Sequence, residues 1–342
     1  MVDGSKSEVV VLVTGASGFL GSRVCELLAK QGFRPRAFVR KTSNIAKLKG
    51  IDADIHYGDL NDCGSLEDAM IGVEVVIHAA ADTSGKAQAG RDATVQGTGN
   101  VLSAAIVRGV KQLIYISTCN VYGIVDCKPF QTINEDGPLE RNPERRGLYS
   151  NSKFKAEQIV LEAIRANDIN ITCVRPGTIW GPGGETFTPM IGVKIGRSII
   201  GIIGSRKFIL PLVYLDNLVD AIVKCIGHST ALGKVYNMVD DYHIDKATYV
   251  RQLLKKIFPK CYFFTIPFWA LYIAVLFQEI AFKLLHKEPY LSRYRLISSQ
   301  RCVVYDSGRI KRDLNWKAPM SFQDGVHEVL KHGIDKQQRQ IT

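Results

Sequence analysis

The chain has no Cys-x-x-Cys spacing, and none of its eight cysteines, at positions 25, 63, 119, 127, 173, 225, 261 and 302, clusters with histidine. That speaks against a zinc site or a disulfide framework and fits a reducing cytosol. No metal is expected. Residues 1–8 lack the apolar stretch of a secretory signal. Internal repeats and low-complexity tracts are also missing. Against these absences stands 46% apolar content over 342 residues, enough to form a core and to fold as one large or two interleaved domains.

Acidic residues are scarce where basic ones gather. The net charge is +11, and residues 251–342 hold 16 lysines and arginines against 7 aspartates and glutamates. A basic surface meets nucleic acid, anionic lipid or an anionic substrate, or serves solubility alone. Between Lys260 and Glu279 there is no charge at all. Because the basic residues interleave with this apolar run and form no clean stripe, nucleic acid is disfavoured and lipid is favoured. A spanning helix would need about 20 apolar residues; this run contains Thr265, Pro267 and Gln278 and would strand residues 288–342 across the bilayer. A buried core helix pair is the plain alternative. The favoured reading is a patch that enters one leaflet, with Trp269 and Tyr272 at the interface and Lys283, Lys287, Arg293 and Arg295 toward an anionic membrane surface. The expected location is cytoplasmic, peripheral on the cytoplasmic membrane face.

Strand and helix patterns alternate through the first half, as in a parallel sheet with crossover helices. Strands are expected at 9–13, 36–39, 53–57, 73–78, 112–117 and 171–175, and helices at 20–31, 95–108 and 150–166. The fold class is α/β: a Rossmann-like doubly wound parallel sheet over 1–178, with a smaller C-terminal substrate lobe over 179–342 that is interleaved with it near 208–240. The apolar segment 261–285 belongs to that lobe.

Two motifs carry chemistry. The run Thr14-Gly15-Ala16-Ser17-Gly18-Phe19-Leu20-Gly21 follows the first strand directly. A strand, a tight glycine turn and a helix start make a nest of N–H groups at a positive helix end, suited to a dinucleotide pyrophosphate. Tyr149 and Lys153 are four apart on the long helix, so they share a face, and an ammonium there would lower the phenol pKa and yield a usable base.

With the hydroxyl-bearing strand end Ser117-Thr118, these motifs resemble the extended short-chain dehydrogenase/reductase family. The resemblance covers nearly the whole chain, through Gly58-Asp59-Leu60, His78-Ala79-Ala80-Ala81, Val121-Tyr122-Gly123, Tyr149-Ser-Asn-Ser-Lys153, Arg175-Pro176-Gly177, Gly181-Pro182-Gly183 and Val213-Tyr214-Leu215-Asp216-Asn217. It implies that Gly15, Gly18 and Gly21 line the pyrophosphate, that Asp59 and Leu60 border the adenine, and that Ala79 and Ala80 leave room for the dinucleotide, with Ser17, Phe19, Leu20 and Pro176 also at the cofactor. It implies Tyr149 as general acid/base, Lys153 on the nicotinamide ribose, and Thr118, or next Ser117, orienting the substrate. Members often pair as homodimers through the helices flanking the fifth strand; nothing in this sequence requires it.

No carboxylate follows the second strand, where one would accept a bond from a ribose 2′-OH; Arg40 and Lys41 stand there. That favours NADP over NAD. Sugar-nucleotide dehydratases of this family carry Asp-Glu after the catalytic Thr; Cys119-Asn120 occupy those places, which argues against dehydration. Many epimerases place a diphosphate-gripping arginine where this chain has the apolar run 208–212, with Arg206 and Lys207 just upstream. An apolar substrate fits better. The branch that contains 3β-hydroxysteroid dehydrogenases and sterol 4α-carboxylate 3-dehydrogenases shares the segment 175–183. The expected reaction is interconversion of a secondary alcohol and a ketone on a sterol-like substrate, with loss of CO2 where a carboxylate lies next to the new ketone. The alternative is a nucleotide-sugar epimerase or reductase.

Overall fold

The computed structural model describes residues 9–82, 93–287 and 289–338, with side chains as far as residue 333. The first half runs β1 (Val10–Thr14), α1 (Phe19–Lys30), β2 (Arg34–Val39), β3 (Asp54–Tyr57), α2 (Cys63–Ala69), β4 (Val75–His78), α3 (Ala93–Val107), β5 (Gln112–Ile116), β6 (Gln131–Ile133), α4 (Leu148–Ala166) and β7 (Ile171–Pro176). Then come β8 (Thr178–Trp180), β9 (Gly192–Ile195), β10 (Ile199–Ile203), β11 (Leu212–Tyr214), α5 (Leu215–Lys224) and β12 (Val235–Met238). The chain ends with α6 (Lys246–Tyr249), α7 (Lys255–Ile257), β13 (Tyr262–Ile266), α8 (Phe268–Leu284), α9 (Arg293–Gln300), β14 (Val303–Tyr305), α10 (Gly308–Leu314) and α11 (Phe322–Gln338).

Seven strands form one sheet in the order β12-β7-β5-β4-β1-β2-β3, and every pairing in it is parallel. Strand side chains alternate between faces, and β1 shows the result. Val11 and Val13 pack with Val24, Leu28, Leu218 and Ile222 of α1 and α5. Leu12 packs on the opposite face with Leu66, Val101, Leu102 and Val160 of α2, α3 and α4. Both faces are therefore covered, as a parallel sheet requires. The expected strands and helices all occur, with ends shifted by at most two residues.

A second core surrounds Trp180, whose ring lies 5.1 Å from Tyr214 and 5.2 Å from Phe322. Gly325 permits this contact: a Cβ there would lie 2.7 Å from the indole. The lobe is tied back to the sheet by late-chain residues. β14 pairs with β6, the Tyr305 hydroxyl reaches the Cys119 carbonyl at 3.5 Å, and Arg309 bridges Glu135 at 3.4 Å and Asp136 at 2.5 Å.

Pro267 divides the uncharged run. Residues before it form β13, parallel to β10; those after it form α8. Among the described residues no helix is long and apolar enough to cross a membrane, as the spanning reading would need. The core-helix reading fails as well. Of the 17 residues of α8 only Val275 is buried, while Trp269, Phe277 and Leu284 are 67%, 66% and 76% exposed.

Candidate active site

A cleft of about 1430 Å³ opens over the carboxyl ends of β1, β2, β4, β5 and β7 and continues into the C-terminal lobe. It brings together every residue singled out for cofactor or catalysis: Gly15, Ser17, Gly18, Phe19, Leu20, Gly21, Arg40, Asp59, Leu60, Ala79, Ala80, Ser117, Thr118, Tyr149, Lys153 and Pro176 all line it.

The cofactor end is shaped by close backbone approach. Gly15 has φ +70°, and a Cβ there would lie 2.9 Å from the Ala80 backbone; at Gly21 one would lie 2.3 Å from the Gly15 carbonyl. Larger residues would close the turn against β4 and α1. With Gly18 as N-cap of α1 and no side-chain cap, the first N–H groups of that helix are left for a ligand's anionic oxygens. The donor set and the space fit a dinucleotide. His78 is a strut beneath it: its ring nitrogens meet Thr14 Oγ1 at 2.7 Å and Thr98 Oγ1 at 3.1 Å, and burial pushes its pKa down to about 3, so it stays neutral.

The chemical end is built on α4. Tyr149 stands in its first turn, after Gly147 at φ +96°. One turn on, buried Lys153 donates from Nζ to the Ile116 carbonyl at 2.5 Å and sits 4.4 Å from the Tyr115 ring centroid. Burial pushes the lysine down to about 8 and pushes the Tyr149 phenol up. The expected lowering of the phenol pKa is therefore not a property of the protein alone. Lys153 donates to the end of β5, and burial is what raises the Tyr149 phenol.

Ser117 and Thr118 diverge. The Ser117 hydroxyl donates to Glu157, which also takes 2.7 and 3.1 Å bonds from the guanidinium of Arg175. Arg175 in turn donates to the Tyr122 hydroxyl at 2.7 Å. Ser117 is thus part of a buried knot that joins α4, β5 and β7. Thr118 caps the next turn, accepting from the Asn120 N–H at 3.2 Å, and keeps its own hydroxyl proton to donate. Of the two, only Thr118 is spared by the knot.

The two positions where dehydratases carry acids behave differently from acids. Cys119 is buried and donates its thiol to the Arg175 carbonyl at 3.2 Å, and burial raises its pKa far above the usual range; Asn120 lines the cleft. Neither titrates near neutrality. Arg206 donates to Thr265 at 3.0 Å on an exposed surface, and neither it nor Lys207 is among the residues lining the cleft. Beyond Thr118 the walls are mainly apolar, with Ile124, Ile203, Phe208, Ile209, Leu296 and Val303. Arg146 and Arg301 also line this part. Sequence reasoning missed both, since neither lies in a recognisable motif.

A sequence model described as the NAD dependent epimerase/dehydratase family matches residues 11–238. The chain is 26% identical over 325 residues, 94% of it and 96% of the relative, to a 4-hydroxy-2-methyl-3-oxo-4-farnesyl-3,4-dihydroquinoline-1-oxide ketoreductase of Stigmatella aurantiaca. It is 29% identical over 357 residues, 95% of it and 80% of the relative, to 3beta-hydroxysteroid-dehydrogenase/decarboxylase isoform 1 of Arabidopsis thaliana. The crystal structure of gox2253 superposes with a TM-score of 0.79 at 26% identity, covering 96% of this chain and 98% of that one.

Proposed function

This chain belongs to the NAD dependent epimerase/dehydratase family and is an NAD(P)-dependent oxidoreductase of the extended short-chain dehydrogenase/reductase type; from that premise we propose that it interconverts a secondary alcohol and a ketone on a sterol-like or similarly hydrophobic substrate. One observation carries the reading: the same cleft that joins the glycine turn to Thr118, Tyr149 and Lys153 continues between apolar walls. Relatives named for a farnesylated ketone and for a hydroxysteroid support it.

A bound nicotinamide supplies the hydride acceptor or donor. In the oxidative direction the Tyr149 oxygen takes the hydroxyl proton, and Thr118 donates a hydrogen bond to the substrate oxygen. Lys153 holds the ribose and, as a cation one helical turn away, favours the phenolate once a ligand draws its amine from Ile116. Arg40, in the cleft beyond β2, with no carboxylate at that strand end, supports a preference for NADP.

The exposed side of α8 supports docking on anionic lipid. Trp269, Ile273, Phe277, Ile280 and Leu284 are all exposed, and their spacing places them on one helical face. Lys283 and Lys287 follow at its end. Leu271 of the same helix lines the cleft, so a hydrophobic substrate would enter from the bilayer side.

The test is reduced-cofactor formation by the purified protein in mild detergent, with NAD⁺ or NADP⁺ and a panel of 3β-hydroxysterols. Turnover is expected, with Tyr149→Phe slower by about 10² to 10⁴. Silence toward every sterol, in protein that binds the dinucleotide, would sink the reading.

A further inference from the structure

Resting on the oxidoreductase reading of this cleft, we propose that Arg301 forms a subsite for a carboxylate on the hydrophobic substrate, remote from the carbon that is oxidised. Arg301 lines the cleft, and its Nε is fully buried without a hydrogen-bond partner. Among the described residues it makes no ion pair. A buried guanidinium N–H left unsatisfied is unfavourable, and guanidinium is built to hold an oxyanion in a planar fork. The Nε hydrogen is sealed inside the wall, so a carboxylate in the cleft would meet the outer guanidinium nitrogens, which make no hydrogen bond or ion pair among the described residues.

The other cations nearby are already committed. Arg146 pairs with Glu140 at 3.2 Å and donates to the Tyr122 carbonyl at 3.1 Å. Arg295 donates to the Tyr290 carbonyl at 3.2 Å and lies against Gly147. Arg206 is turned outward to Thr265. Arg295, held by a backbone carbonyl alone, keeps its charge as Arg301 does, but of the two only Arg301 has no side-chain hydrogen bond among the described residues, which suits it to a single carboxylate. A nucleoside diphosphate carries more charge than this and would leave part of it unpaired beside Val303, Ile124 and Leu296.

Strand geometry places the anion. Arg301, Val303 and Tyr305 are two apart, and all three line the cleft, as side chains on one face of an extended segment do. At one end the Tyr305 hydroxyl touches the carbonyl of Cys119, next to Thr118. Cys302, facing the other way, accepts from the Ile209 N–H with its sulfur at 3.3 Å. Four residues of extended chain separate the Arg301 and Tyr305 backbones by about 13 Å. A substrate whose carbinol meets Thr118 and Tyr149 would therefore offer its carboxylate several carbons away.

The experiment compares 3β-hydroxycholanoate, which carries its carboxylate on the side chain, with its uncharged methyl ester, in wild type, Arg301→Leu and Arg301→Lys. In wild type the acid should exceed the ester in kcat/KM by about 10-fold or more, as expected when a desolvated charge pair is made. In Arg301→Leu the acid-to-ester ratio should fall to about 1, and in Arg301→Lys part of the preference should return. A ratio near 1 in wild type, or one unchanged in Arg301→Leu, overturns the proposal. If neither sterol turns over, the oxidoreductase reading on sterols fails separately. Equilibrium dialysis of the dinucleotide-loaded protein then decides: Arg301-dependent retention of the acid over the ester supports the subsite, whereas Arg301-dependent retention of UDP without that preference overturns it. A sterol with its carboxylate beside the carbinol serves as a further probe, and stronger Arg301 dependence there than for the side-chain acid would refute the remote placement.

Discussion

Helices α4 and α8 invert each other. On α4, Lys153 and Glu157 are buried; on α8, Trp269, Phe277 and Leu284 are exposed. Ordinary helices do neither, because charge is costly to bury and apolar area is costly to leave in water. On α4 the burial is made tolerable by partners, Ile116 for the lysine and Arg175 with Ser117 for the glutamate. On α8 the described residues supply no partner for the apolar face. The contrast teaches that a rule broken inside the fold is explained by contacts within it, whereas the exposure of α8 is what the proposed lipid contact would account for.

Removing the buried amine tests the first half most severely. Lys153→Met should lower kcat/KM by about 10² to 10⁴, the range for losing the group that supports an acid/base, while unfolding changes little, because a neutral chain replaces a desolvated cation. A steady-state assay with a circular-dichroism melt separates the two. Glu157→Gln strikes the same helix structurally: it leaves Arg175 charged, 2% exposed and unpaired, which should cost about 3–5 kcal/mol in urea unfolding. An unchanged urea midpoint would mean the knot contributes no stability.

The second half is tested at Trp269 and Phe277. Replacing both by Glu should abolish sedimentation with vesicles containing phosphatidylserine, since each aromatic side chain left in water forgoes about 1.5–3 kcal/mol. Retained binding would point away from α8 as the lipid contact.

The smallest effect concerns a third inversion, Lys246. It is fully buried, donates to the Ile203 carbonyl at 2.9 Å and to Gln300 at 2.7 Å, and has no carboxylate partner among the described residues. Burial lowers its pKa to about 7, against about 10.4 in an unfolded chain. Between those values the unfolded state binds the extra proton, so this lysine makes stability rise as pH climbs from about 7 toward 10. Lys246→Met should flatten that rise in thermal unfolding at pH 6.5 and pH 9; an unaltered slope would show that Lys246 is hydrated in solution.

What the sequence revealed follows the same division. The sheet was legible because the short continuous apolar runs of β1, β4 and β5 are local signals of strands buried on both faces, and the glycine turn because its residues are contiguous. The Tyr149–Lys153 spacing was legible for the same reason. Their titration was not, since it depends on the Ile116 carbonyl and on burial. The fate of Ser117 turned on Glu157 and Arg175, far away in the chain and joined only by folding. Residues 261–278 were ambiguous because a buried helix and an exposed one share a composition; the fold divides them at Pro267 into a strand and a largely exposed helix. Arg301 gave no signal, since it lies in no motif and its place on the cleft wall is set by the fold.

The pairing of β14 with β6 also sets an order of events during synthesis. Residues 119–135, which border the reactive end of the cleft, leave the ribosome long before Val303, Tyr305 and Arg309, which hold them in place. A nascent chain with its first seven-stranded elements assembled would still have a loose rim around the reacting carbon. The catalytic cleft becomes whole only once residues 303–309 have emerged and docked.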